Sequence, residues 1–249
     1  MSASLQRLFP DPGPTTVEEQ YSQLDLGSLA PEGRPYVVTN FAVTVDGRAT
    51  ISGRSGAIGS STDTEVLQQL RTQVDAVMIG AGTMRAERYG RIVSDPELRG
   101  RRERAEKLAP DPVAVIVSNS LDLPWDAGLF TSGYGRVVIF TTSELDPPKT
   151  ATSLRIMRFK GEVDLAAGLG MLRSERGVRA LLCEGGPRLH GNLVDAGLVD
   201  ELFVTLAPKL AGGTGPNLVE GAAEQERELE PVWLLDDDGE LFCRYRVRL

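Results

Sequence analysis

The sequence predicts an α/β fold: a mostly parallel sheet with helices on both faces, finished by an antiparallel C-terminal hairpin. Two observations carry that prediction. From Pro35 onward, short apolar β-branched runs alternate with helical patterns, the order that builds parallel sheets. The last two strand-like runs, Val232 to Leu235 and Leu241 to Val247, flank Asp238-Gly239, a hairpin dipeptide.

Residues 1–33 read as an extended arm, because Pro10, Pro12, Pro14 and Pro31 interrupt any period apart from a short helix near Val17 to Leu24. Residues 34–249 read as one domain. Tyr36 to Val45 is apolar on both faces, as a doubly covered strand should be. Thr62 to Glu65 has capping-box spacing, and Val66, Leu67, Leu70 and Val74 form a helical stripe. Ala76 to Ile79 is a buried strand running into Gly80-Ala81-Gly82-Thr83. Pro96 to Leu108 is a charged helix whose Arg99, Arg101, Arg102, Arg104 and Lys107 alternate with acids and read as a solvated face. Strands follow at Val113 to Val117, Val137 to Phe140 and, more weakly, Leu154 to Phe159. A helix with stripe Leu165, Leu169, Leu172 ends at Gly177. Strand Val178 to Cys183, a helix ending at Gly197 and strand Leu202 to Leu206 complete the alternation.

Composition narrows the function. Against 27 Lys plus Arg stand 35 Asp plus Glu, a net charge of −8, which argues against nucleic-acid or anionic-membrane partners. No apolar run reaches the ~20 residues of a membrane helix, and no signal peptide is read near the N-terminus, so a soluble cytoplasmic protein is expected. Cys183 and Cys243 sit in apolar runs and read as buried free thiols. With His190 the single histidine, no metal site is expected. His190 itself reads as a surface or packed residue.

Four segments could carry chemistry. Asn40, Ala42, Thr44 and Asp46 alternate onto one face at a strand's carboxyl end, where open α/β sheets bind ligands, with Arg48 just beyond. Asp46-Gly47 alone also reads as a turn; Asn40 on the same face favours a site. Gly80, Gly82 and Thr83 follow a buried strand in a bend that backbone-binding ligands use, although a strand-to-helix turn reads the same way. Glu184-Gly185-Gly186-Pro187 is the stronger signal: paired glycines, a proline placed for a first helical turn, and a partly buried carboxylate that packing alone does not explain. Ser118 and Asn119 leave a buried strand with small polar side chains suited to a ribose or its phosphate, or to a plain polar loop.

In order, these segments resemble the reductase domain of riboflavin biosynthesis, within the dihydrofolate-reductase-like superfamily. The resemblance is carried by Arg34 to Tyr36 with Asn40 to Arg48, by Leu70-Arg71 with Val74 to Thr83, by Cys183 to Pro187 with Gly197 to Leu202, and by Ala207 to Gly213. It implies a three-layer α/β/α fold, NADPH as cofactor and a homodimer. Gly82, Thr83, Gly185 and Gly186 would then hold the cofactor beside Gly80 and Pro187, with Ser118 and Asn119 on its adenosine ribose. Asn40, Thr44 and Arg48 would meet the substrate, and Asp46 and Glu184 would be catalytic. The implied reaction is hydride transfer to the ribosyl C1′ of 5-amino-6-(5-phosphoribosylamino)uracil.

Three differences stand beside it. The zinc-deaminase signature of two-domain members is absent, and Asn40 replaces their Lys. Where riboflavin enzymes continue into Asp-Asp-Pro, this chain reads Arg85-Ala86-Glu87-Arg88-Tyr89-Gly90. A dihydrofolate or pterin reductase on the same scaffold, or a catalytically idle NADPH-binding protein, are the alternatives.

Overall fold

Side-chain alternation puts Val37 and Val38 of the central strand into two different apolar clusters, one on each side of a single sheet. A computed structural model of the chain describes residues 2–248. The strands are β1 (Ser4–Phe9), β2 (Gly13–Thr16), β3 (Tyr36–Thr44), β4 (Ala76–Gly80), β5 (Val113–Val117), β6 (Arg136–Thr141), β7 (Ser153–Arg158), β8 (Ala180–Cys183), β9 (Glu201–Ala207), β10 (Leu229–Asp237) and β11 (Glu240–Val247). The helices are α1 (Val17–Tyr21), α2 (Ser61–Thr72), α3 (Ala81–Glu87), α4 (Pro96–Arg104), α5 (Gly128–Thr131), α6 (Leu165–Arg176) and α7 (Pro187–Asp195), with a 3-10 turn at Leu26–Leu29.

One eleven-stranded sheet runs in the order β2-β1-β10-β11-β9-β3-β8-β4-β5-β6-β7. From β9 to β7 every neighbour is parallel; β2, β1, β10 and β11 pair antiparallel on the other side. The mostly parallel sheet with its antiparallel hairpin is therefore as the sequence predicts. Asp238 and Gly239, both at positive φ, make the hairpin turn.

The N-terminal segment differs from expectation. Residues 4–16 are two strands of the same sheet, with β1 paired to β10 and Leu5 buried, so this stretch is not a free arm. Backbone pairing compensates for its prolines because they fall in the β1–β2 turn and on the edge strand β2, where a missing N–H costs little.

Two local readings also change. The N-cap of α2 is Ser60, whose hydroxyl accepts from the Thr62 and Asp63 amides, and not the Thr62 box. Arg102 is fully buried: Nη1 donates to the Arg71 and Val74 carbonyls and Nε to the Ala109 carbonyl, clamping α4 to α2. A cation needs such acceptors when it leaves water, so Arg102 does not belong to the solvated face. Both cysteines are free and buried.

Candidate functional site

Two strand ends meet above the middle of the sheet. The Gly80 amide donates to the Gly185 carbonyl at 2.7 Å, joining the bend after β4 to the bend after β8. The fit is close: a Cβ on Gly186 would stand 2.8 Å from Thr83 Oγ1, and one on Gly185, at φ +108°, would stand 3.2 Å from the Phe41 ring. Only glycine suits both positions. Gly82, by contrast, faces open space.

These bends open onto a cavity of about 1290 Å³. Of the residues singled out from sequence, it is lined by Asn40, Gly80, Gly82, Thr83, Ser118, Asn119, Glu184, Gly186 and Pro187. Gly185 lies just beneath, packed on Phe41. Phe41 in turn stacks on His190 at 4.6 Å, and His190 Nδ1 is 3.0 Å from the Leu218 carbonyl. His190 is thus a packed residue, and burial holds its pKa below the usual value.

The structure does not bring Thr44, Asp46 or Arg48 to the cavity wall. Thr44 Oγ1 donates to Asp46 at 2.6 Å, and the Asp46 carboxylate accepts the Ala211 and Gly212 amides at 3.1 and 2.7 Å. Those hydrogen bonds, the Thr44 hydroxyl foremost, hold the Asp46 carboxyl well below the usual carboxylate range. Arg48 donates to the Gly213 and Gly215 carbonyls and to Asn217 Oδ1. Together they fasten a strap, residues 209–221, whose Thr214, Pro216 and Glu220 do line the cavity. Their position on the strand was legible; their orientation toward the strap was not, because its residues lie more than 160 positions away.

Glu184 is paired. Arg71 grips it with two hydrogen bonds of 2.6 Å, and Tyr89 donates to it at 3.1 Å; both partners line the cavity. The pair is buried, with side chains 10% and 3% exposed. Burial pushes the Tyr89 phenol well above its ordinary value, so it stays protonated. Sequence reasoning quoted Arg71 only as part of a matching segment. The signal for its role was Glu184 itself: a carboxylate ending a buried strand requires a cation or several donors. The segment Arg85–Gly90 also lines the cavity, with Arg85 tied to Asp122 and Arg88 to Asp126.

The wall suits a phosphorylated, hydroxyl-rich ligand. Ser118 is buried and its Oγ has no hydrogen-bond partner. The N-terminus of α7 has Gly186 as cap, Pro187 at its first position and no side-chain acceptor on its free amides. Among the described residues no group of His, Cys, Asp or Glu could hold a metal ion.

Residues 35–239 match the family model described as the RibD C-terminal domain. The chain belongs to that family. It is 35% identical over 206 residues to the riboflavin biosynthesis protein RibD of Bacillus amyloliquefaciens, covering 80% of this chain and 53% of that one, so it spans about half the length of that relative. It is 30% identical over 227 residues to a 2,5-diamino-6-ribosylamino-4(3H)-pyrimidinone 5′-phosphate reductase of Methanothermobacter thermautotrophicus, covering 86% of this chain and 99% of that one. A pyrimidine reductase-like protein of Corynebacterium diphtheriae shares the fold with a TM-score of 0.78 at 24% identity, over 94% of this chain and 98% of that one. The expectation of an oxidoreductase related to the riboflavin-pathway reductases is met, and reductases of this family imply a nicotinamide cofactor.

Proposed function

We propose that the chain is an NADPH-dependent reductase acting on a 6-(5-phosphoribosylamino)pyrimidine, the class that contains the uracil expected from sequence. The observation that carries this reading is the joined pair of glycine bends opening on one cavity beside the uncapped start of α7. The family membership and the named relatives support it.

When bound, the cofactor would supply a hydride from its nicotinamide ring to the ribosyl C1′, the C1′–O4′ bond opening and O4′ taking up a proton to leave a ribityl chain. The chain's own residues align and exclude. Gly82 and Gly186 let backbone approach the pyrophosphate, Gly185 closes the bend beneath them, and the first free amides of α7 favour its charge. Ser118 and Asn119 meet the adenosine ribose. Glu184, fixed by Arg71 and Tyr89, orients substrate hydroxyls, and the two-pronged Arg71 contact sets the direction its carboxylate faces. Asn40 contacts the substrate from β3. Thr44, Asp46 and Arg48 are positioning residues that hold the strap over the cavity. A homodimer and a cytoplasmic setting belong to the same reading and rest on the family resemblance.

The test is steady-state oxidation of the reduced cofactor with each candidate substrate. Rapid turnover with a ribosylaminopyrimidine phosphate and not with dihydrofolate is expected. The reverse result installs the pterin reading. A cofactor-dependent rise in melting temperature with no turnover on any substrate makes the protein an idle binder.

A further inference from the structure

His190 is not on the cavity wall, yet it touches two of the parts that shape the cavity. Its ring stacks on Phe41, and Phe41 lies against Gly185, close enough that a Cβ there would stand 3.2 Å from the phenyl ring. On the other side, His190 Nδ1 meets the Leu218 carbonyl of the strap at 3.0 Å. A carbonyl only accepts, so Nδ1 carries the proton and donates, leaving Nε2 bare. Nε2 is buried with no hydrogen-bond partner, and burial keeps a second proton off the ring. The strap is seated on α7 around this contact. The Glu220 amide donates to the Pro187 carbonyl at 3.2 Å, and a Cβ on Gly191 would overlap the Glu220 carbonyl. Among the described residues, His190 is the one side chain of α7 hydrogen-bonded to residues 209–221. The strap's other fastening is remote: Asp46 and Arg48, at the end of β3, hold residues 211–217.

Leu218, His190, Phe41 and Gly185 thus form one packed line from the strap to the bend beside α7. Close-packed side chains transmit a displacement because they leave no slack to absorb it. We propose that His190 is a positioning residue that couples the seating of the strap to the glycine bend, so that the strap, fastened by Asp46 at its far end, sets the affinity for the nicotinamide cofactor. Its working parts are the Nδ1–H that holds Leu218 and the flat ring that backs Phe41. A strap that lifts takes the imidazole with it and leaves Gly185 unsupported from below. This inference rests on the reductase reading and adds to it a link between the strap and the cofactor's side of the cavity.

Calorimetric titration with NADPH is carried out on wild type, His190→Leu, Asp46→Asn and the double variant. Each single change should raise the Kd about fivefold, the worth of one hydrogen bond. The double variant should bind no more weakly than the weaker single one, because either cut frees the same strap; independent sites would multiply their losses. His190→Asn, whose amide reaches the Leu218 carbonyl from the Nδ1 position, should recover part of the affinity lost in His190→Leu. A second readout does not depend on His190→Leu folding. With a single imidazole in the chain, 15N-histidine labelling gives one pair of ring-nitrogen resonances. They should show the neutral Nδ1–H tautomer, and they should shift both on saturation with NADPH and in Asp46→Asn. Ring resonances that ignore both changes overturn the inference and leave the reductase reading intact, as do losses that multiply in the double variant or a His190→Asn as weak as His190→Leu. A wild-type protein that binds no NADPH removes the inference and the reductase reading together.

Discussion

At the scale of single residues, the buried ion pair between Arg71 and Glu184 sets both the wall of the cavity and its robustness. Removing one member of such a pair leaves an uncompensated charge out of water, a loss of about 3–5 kcal/mol. Arg71→Met should therefore unfold at clearly lower urea concentration than wild type. Replacing both residues, as Arg71→Met with Glu184→Leu, should recover most of that loss, since no bare charge remains. Urea unfolding of both variants checks this; a single variant as stable as wild type would show that Glu184 finds other donors. Arg71 and Arg102 also show where sequence reading stops. The partners of Arg102 are backbone carbonyls, which carry no residue-type signature, so its alternation with acids on α4 looked like an exposed face. Glu184 was legible because a carboxylate at the end of an apolar strand is costly by itself; its arginine, 113 positions away, was not.

At the scale of elements, the bends after β4 and β8 work as one unit, because each occupies space that a side chain of the other would need. Gly186→Ala should weaken cofactor binding by roughly tenfold or more, since Thr83 Oγ1 stands 2.8 Å from the new carbon and Thr83, being β-branched, has few rotamers to yield. Adding Thr83→Ala should restore part of the melting temperature lost in Gly186→Ala. Calorimetric titration with NADPH and thermal melts of the single and double variants decide this; unchanged affinity in Gly186→Ala would remove the bend from the cofactor site. The glycines could be read from sequence since they punctuate an apolar strand and precede a helix-starting proline. The strap of residues 209–221 could not, since it has no period. Its course is set by Asp46 and Arg48 on a distant strand and by the Lys209 ammonium donating to the Ala57 and Ile58 carbonyls.

At the scale of the whole molecule, the parallel half of the sheet followed from alternation, while the antiparallel half was read only as its final hairpin. Leu5 alone among the residues of β1 is buried, too little pattern for periodicity to reveal a strand. Deleting residues 1–16 should uncover the edge of β10 and the apolar surface beneath Leu5, a loss of about 2–3 kcal/mol or roughly 5–10 °C in melting temperature. Concentration-dependent light scattering should rise with it, because an open strand edge recruits other chains. A deletion that melts like wild type and stays dispersed would show that the β1 pairing adds nothing. The pairing of β1 with β10 also has a kinetic side. On the ribosome Ser4–Phe9 and its β2 partner emerge long before Leu229–Asp237, so the edge of β1 that meets β10 must wait without its partner through nearly all of synthesis. Closure of the sheet at that seam belongs to the last moments of folding, which makes slow release or a stalled C-terminal segment the circumstance in which this protein is most exposed to misassembly.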